Sequence, residues 1–104
     1  MGLIERLHDA WGEDADCMNC WAEVRYAYSS GEWACYIYAL NPRDNDEIAC
    51  IIDDGSGLDV CDWSMRELLG GHNREGEFPV VDADYRRTYV PDLIKKLKER
   101  GREL

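Results

Sequence analysis

Cys17-Met18-Asn19-Cys20 is the spacing in this chain most open to chemistry, because two thiolates separated by two residues can reach the same zinc ion. A structural zinc needs four ligands, and completion is poor: the other cysteines, at 35, 50 and 61, are widely spaced in strand-like stretches, and His8 and His72 are isolated. The expectation is no metal or other cofactor, with a zinc-stabilised module organised on Cys17 and Cys20 as an alternative. A thioredoxin-like role fits less well, since it places the first thiol at a helix N-terminus, and here a strand pattern follows. Cys35 and Cys50, within apolar runs, read as small core residues.

Carboxylates and glycines meet in Asp53-Asp54-Gly55-Ser56-Gly57-Leu58-Asp59, but the alternating ligands and closing glutamate of a calcium loop are missing. A hairpin turn accounts for it. Gly55-Ser56-Gly57 is not a nucleophile elbow, neither histidine has a Ser or Cys partner at a recognisable spacing, and no phosphate-cradling glycine loop occurs. A binding protein is therefore expected ahead of an enzyme. A small enzyme or small-molecule binder without a motif is a third reading, since catalytic groups converge in space rather than in sequence.

Charge carries the leading reading. The 104 residues include 22 acids and 12 bases, for a net of −10. Residues 1–84 hold 19 acids and 5 bases, whereas residues 85–104 hold 3 acids and 7 bases. An acidic body with a basic C-terminal segment repels a phosphate backbone, which argues against direct nucleic-acid binding. Asp44, Asp46 and Glu47 cluster at one turn, and Asp53, Asp54, Asp59 and Asp62 flank the next. Turns at opposite ends of one strand lie at opposite ends of a sheet, so these acids bracket it and form a field that attracts a basic protein surface.

Tyr36 and Tyr38 project from the face of their strand opposite Trp33, Cys35 and Ile37. If helices cover one side only, an aromatic face is left for a partner or a homodimer. If both sides are covered, that surface is lost, and the apolar character of the whole strand is consistent with this.

These residues must be positioned by the following elements. Leu3, Ile4, Leu7 and Trp11 recur at helical spacing over 2–11. Residues 20–28 alternate as a half-buried strand, and 33–40, apolar throughout, read as a central one. Strands over 47–53 and 58–63 follow across turns at 41–46 and 54–57, and such short connections favour antiparallel pairing. Ser64-Met65-Arg66-Glu67 matches a capping box opening a short helix that Gly70-Gly71 ends. Phe78–Val81 reads as a short edge strand, because Pro79 cannot donate to a central ladder. A last helix begins near Thr88, with Pro91 in its first turn and Val90, Leu93, Ile94 and Leu97 as its buried stripe. The expected fold is one α+β domain over 1–104: a four-stranded antiparallel meander, a fifth edge strand, and N-terminal, short and C-terminal helices. At this length its radius of gyration should be about 13 Å.

The longest apolar run, Trp33–Leu40, is far short of the ~20 residues a membrane helix needs. The first residues, Met-Gly-Leu-Ile-Glu-Arg, do not read as a secretory leader, and Arg6 stands where a myristoylation signal has Ser or Thr. A reducing cytoplasm is the expected compartment.

Overall fold

The computed structural model describes residues 2–11, 19–29, 31 and 33–103. In chain order the elements are α1 (Leu3–Ala10), β1 (Trp21–Ala22), β2 (Val24–Ala27), β3 (Ala34–Leu40), β4 (Glu47–Asp53), β5 (Leu58–Ser64), α2 (Met65–Gly70), β6 (Val80–Val81), β7 (Thr88–Tyr89) and α3 (Val90–Glu99). The α+β class follows from this order, and the radius of gyration is 13.1 Å.

Five strands form an antiparallel sheet in the order β5-β4-β3-β2-β6. The unbroken apolar run occupies its centre: β3 is buried at all seven positions. Val80–Val81 pairs with Tyr26 and Ala27 at one edge, the location to which Pro79 restricts it. The strand expected over 20–28 is split at Glu23. Trp21 and Ala22 leave the main sheet to pair with Tyr89 and Thr88, while Glu23 still donates its backbone N–H to Ile37 O at 2.9 Å. Thr88 and Tyr89 are thereby strand residues, so the last helix starts at Val90, two residues later than expected.

A bulge decides which side chains share a face. Ile37 stands opposite Cys50 and Ala39 opposite Ala49, leaving Tyr38 as the extra residue. One inserted residue reverses the alternation beyond it, so Leu40 joins Cys35 and Ile37 on one face, whereas Tyr38 and Ala39 both join Tyr36 on the other.

Both faces are covered. Leu7 of α1 and Leu68 of α2 pack on the side of Cys35, Ile37, Ile48 and Cys50. On the opposite side Val90, Leu93 and Leu97 of α3 pack on Tyr36, Tyr38, Ala49 and Ile51. Val90 and Leu97 are 0% and 1% exposed, and a fully buried aliphatic of this size contributes about 1.5–3 kcal/mol relative to remaining in water. Gly101, at φ 90°, turns the chain back after α3. Arg102 can then reach Asp53, and Leu58 donates its N–H to Glu103 O at 2.6 Å. Gly57 admits this tail closely, since a Cβ there would stand 3.0 Å from Glu103 O.

Candidate functional site

The acidic residues divide by what their oxygens already hold. Asp46 binds the start of α2: one oxygen accepts from Ser64 Oγ at 2.7 Å and the other from Arg66 N at 2.8 Å. These bonds, the Ser64 hydroxyl foremost, hold its carboxyl below the usual range. Ser64 caps the helix by accepting from Glu67 N at 3.2 Å, as its sequence position requires. Glu67 accepts instead from Trp63 Nε1 at 2.7 Å, so the side-chain contact expected in the other direction is replaced by an indole bond. Glu47 accepts from Asn41 Nδ2 at 2.9 Å, and Asp44 accepts from Asp46 N at 3.1 Å.

At the other end of β4, Asp53 is buried and accepts from Arg102 Nε at 3.1 Å and Gly55 N at 3.0 Å. Asp54 is exposed but organises its own turn, accepting from Ser56 N at 2.9 Å and Gly57 N at 2.8 Å. Those two amides, Ser56 first, and the Ser56 hydroxyl lower its pKa. The acidic turns thus lie at opposite ends of the sheet, and Asp46, Asp53 and Asp54 have structural work.

Asp59 and Asp62 do not. Both are exposed on β5, and neither has a hydrogen-bond or ion-pair partner among the described residues. They point to opposite faces of the sheet, Asp59 on the side of Cys61 and Asp62 on that of Val60. β5 is a seven-residue edge strand. Its pairing pattern is fixed by Asp54 N to Gly57 O and Met65 N to Asp46 O, which mark the hydrogen-bonded pairs at either end. The backbone groups of Val60 and Asp62 are therefore directed away from β4, out of the sheet, and the next outward N–H, at Leu58, is taken by Glu103.

Tyr36 and Tyr38 are 5% and 8% exposed beneath α3, which corrects the expectation of an uncovered aromatic face. The basic helix covers it because Val90, Leu93 and Leu97 form a stripe that can be removed from water only against the sheet. Arg25 Nε donates to the Tyr36 hydroxyl at 3.3 Å and its Nη1 to Asp82 at 2.9 Å. Burial works against the Arg25 charge, but these bonds outweigh it and raise the pKa.

Cys17 lies outside the described residues, and Cys20 is buried, its carbonyl accepting from Val90 N at 2.9 Å. No group of three or more His, Cys, Asp or Glu side chains is arranged to hold a metal among the described residues. Cys35 and Cys50 lie in the core, as their positions predict. Sequence spacing did not reveal that Cys61 stands directly opposite Cys50, with the sulfurs 4.0 Å apart. Hydrogen bonding to Cys35, together with burial, pushes the Cys50 thiol far up, and burial beside Cys50 pushes Cys61 up to about 12. Such thiols are poor nucleophiles.

His8 Nε2 is 3.0 Å from Asn45 Oδ1, and His72 Nδ1 is 3.2 Å from Asn73 O. These partners are an amide and a backbone carbonyl, not a nucleophile or an orienting carboxylate. A groove of about 650 Å³ runs between α1 and the sheet, lined by Leu3, Ile4, Val24, Tyr26, Ile48 and Met65. No helix among the described residues is long and apolar enough to cross a membrane.

No protein-family model matches the chain, and no curated protein or solved structure matches it significantly.

Proposed function

We propose that this protein is a non-enzymatic recognition domain that binds a basic, extended segment of another protein along the β5 edge. The observation that supports the reading is the pairing of unpartnered Asp59 and Asp62 with outward-facing backbone at Val60 and Asp62 on one edge strand. An incoming strand gains main-chain hydrogen bonds there and places lysine or arginine side chains beside carboxylates on both faces. The same acids disfavour a second copy of β5, because like charges then oppose one another across the new ladder. A basic partner is thus favoured over self-association, and the homodimer through Tyr36 and Tyr38 is set aside with their burial.

Titration with a short peptide of alternating lysine and valine tests the proposal. Binding should weaken steeply between about 0.01 M and about 1 M salt, over which the screening length falls from about 30 to about 3 Å. Asp59→Asn and Asp62→Asn should each weaken it a few-fold. Val60→Pro should abolish it while leaving the fold intact, since the lost N–H faces away from β4. Binding that is insensitive to salt, or that survives the proline, would overturn the proposal.

A further inference from the structure

Positive charge in this protein is scarce, yet four cations line one concavity between α3 and the β2 side of the sheet. Its volume is about 500 Å³, and Arg25, Arg86, Lys96 and Arg100 line it together with Asp82 and Asp84. The lining carries a net charge of +2 in a molecule whose net charge is −10. Arg25 is committed to Asp82, its carboxylate partner at 2.9 Å. Arg86, Lys96 and Arg100 are exposed, and their side chains have no ion-pair or hydrogen-bond partner among the described residues.

Acids are available elsewhere in abundance, so three cations set against the remaining carboxylate of Asp84 around one hollow, a surplus of two positive charges, are not explained by the protein's own ion pairs. Like charges held together repel, and a bound anion removes that cost. The walls suit a small polar ligand. Tyr36 and Tyr85 meet edge to face at the floor with ring centroids 5.8 Å apart, and Arg25 is fixed there by the Tyr36 hydroxyl. Arginine forks bind phosphate and carboxylate oxygens in pairs, with Lys96 adding a point charge.

We infer that this pocket binds a small multivalent anion, a phosphate ester or a polycarboxylate. The site is independent of the proposed β5 interface. The β5 and β6 edges are four strand spacings apart, roughly 19 Å, and Arg25 and Asp82 belong to the β6 side.

Calorimetric titration with inorganic pyrophosphate and, separately, with citrate tests the assignment. At least one should bind, and the one bound more tightly identifies the ligand source as phosphate or carboxylate. Lys96→Ala and Arg100→Ala should each weaken binding about tenfold, as loss of a charge-assisted contact requires. Lys98→Ala removes the same charge from the same helix outside the pocket, and it should leave the affinity within about twofold. All three residues are exposed, so the unfolding midpoint should not move. The inference is overturned if neither anion binds, or if Lys98→Ala weakens binding as much as Lys96→Ala does. Lys-rich peptide binding at β5 should be unaffected by Lys96→Ala, which separates failure of this pocket from failure of the edge interface.

Discussion

Arg102 reaches back 49 positions to Asp53, placing its Nε 3.1 Å from one carboxylate oxygen and 3.3 Å from the other. This contact closes the C-terminal segment over the start of β5, next to the Leu58–Glu103 backbone bond. With Asp53 buried, removing its cation leaves a carboxylate short of a partner. Arg102→Ala should destabilise the protein by about 1–3 kcal/mol in urea unfolding. Arg102→Lys should restore only part of this, because a single ammonium cannot face Asp53 as Nε does while also donating to Arg100 O as Nη1 does. An unchanged urea midpoint in the alanine variant would show that the tail is not anchored by this pair.

Acid should weaken the fold through Asp46 and Asp54, whose pKa values lie below the ordinary 3.8. A carboxylate with a depressed folded-state pKa contributes stability that is present above the unfolded value and is lost as pH falls through the folded one. Unfolding free energy should therefore drop as pH falls below about 4. The double variant Asp46→Asn, Asp54→Asn should show a shallower drop over that interval. An acid slope identical to that of the parent would mean these two carboxylates do not set it.

Alkali acts through the thiols, with the opposite sign. Cys50 and Cys61 have raised pKa values, so their contribution is complete below the ordinary value of 9.0 and is lost as pH rises toward and beyond about 12. Stability should decline from about pH 9 upward, and Cys61→Ser should reduce that decline. Iodoacetamide at pH 8 should label Cys35 and Cys50 only on unfolding, because both thiols are buried away from the reagent. Rapid labelling of Cys50 in the native protein would contradict the buried position.

Helix α1 sends one buried side chain into the core, and Arg6 with Glu23, His8 with Asn45, and Ala10 at the helix end add further contacts. Leu7 is its buried residue, while Leu3 and Ile4 are 39% and 52% exposed. Leu7→Ala should cost about 2–5 kcal/mol at that contact, and much of the loss should show as local opening. Hydrogen exchange should accelerate in α1 while β3 and β4 keep most of their protection. Equal acceleration across the sheet would show instead that α1 unfolds only with the core.

Much of the fold was legible because local pattern and tertiary role coincide. The apolar run 33–40 has no polar residue to face water, so it had to be central, and β3 is. Ser64, three residues before Glu67, announced the start of α2, and Pro79 kept its strand at an edge. The split at Glu23 was not legible, since it depends on Trp21 and Ala22 pairing with Tyr89 and Thr88, 68 and 66 positions away in the chain. The bulge at Tyr38 was equally hidden. An all-apolar strand gives the same pattern in either register, so nothing in its sequence marks the inserted residue.

The candidate site divides along the same line. Acidic turns at both ends of β4 could be placed from sequence, but the distinction among their carboxylates could not. Asp46, Asp53 and Asp54 are spoken for by α2, Arg102 and their own turn, whereas Asp59 and Asp62 have no hydrogen-bond or ion-pair partner among the described residues. The basic segment read from composition as one block divides in space: Arg102 and Arg87 pair with Asp53 and Glu23, Arg86, Lys96 and Arg100 surround a hollow, and Lys95 and Lys98 lie on α3 outside it.

By itself the sequence determined the α+β class, the order of the three helices and of the meander strands, the antiparallel connections and the excess of acid, because these depend on periodicity, turn chemistry and charge read along the chain. The tertiary structure alone decided which face of the sheet is covered, which acids are unpaired and where cations converge. Those properties depend on the spatial meeting of residues tens of positions apart, and a helix's apolar stripe does not state which of two apolar faces it will cover.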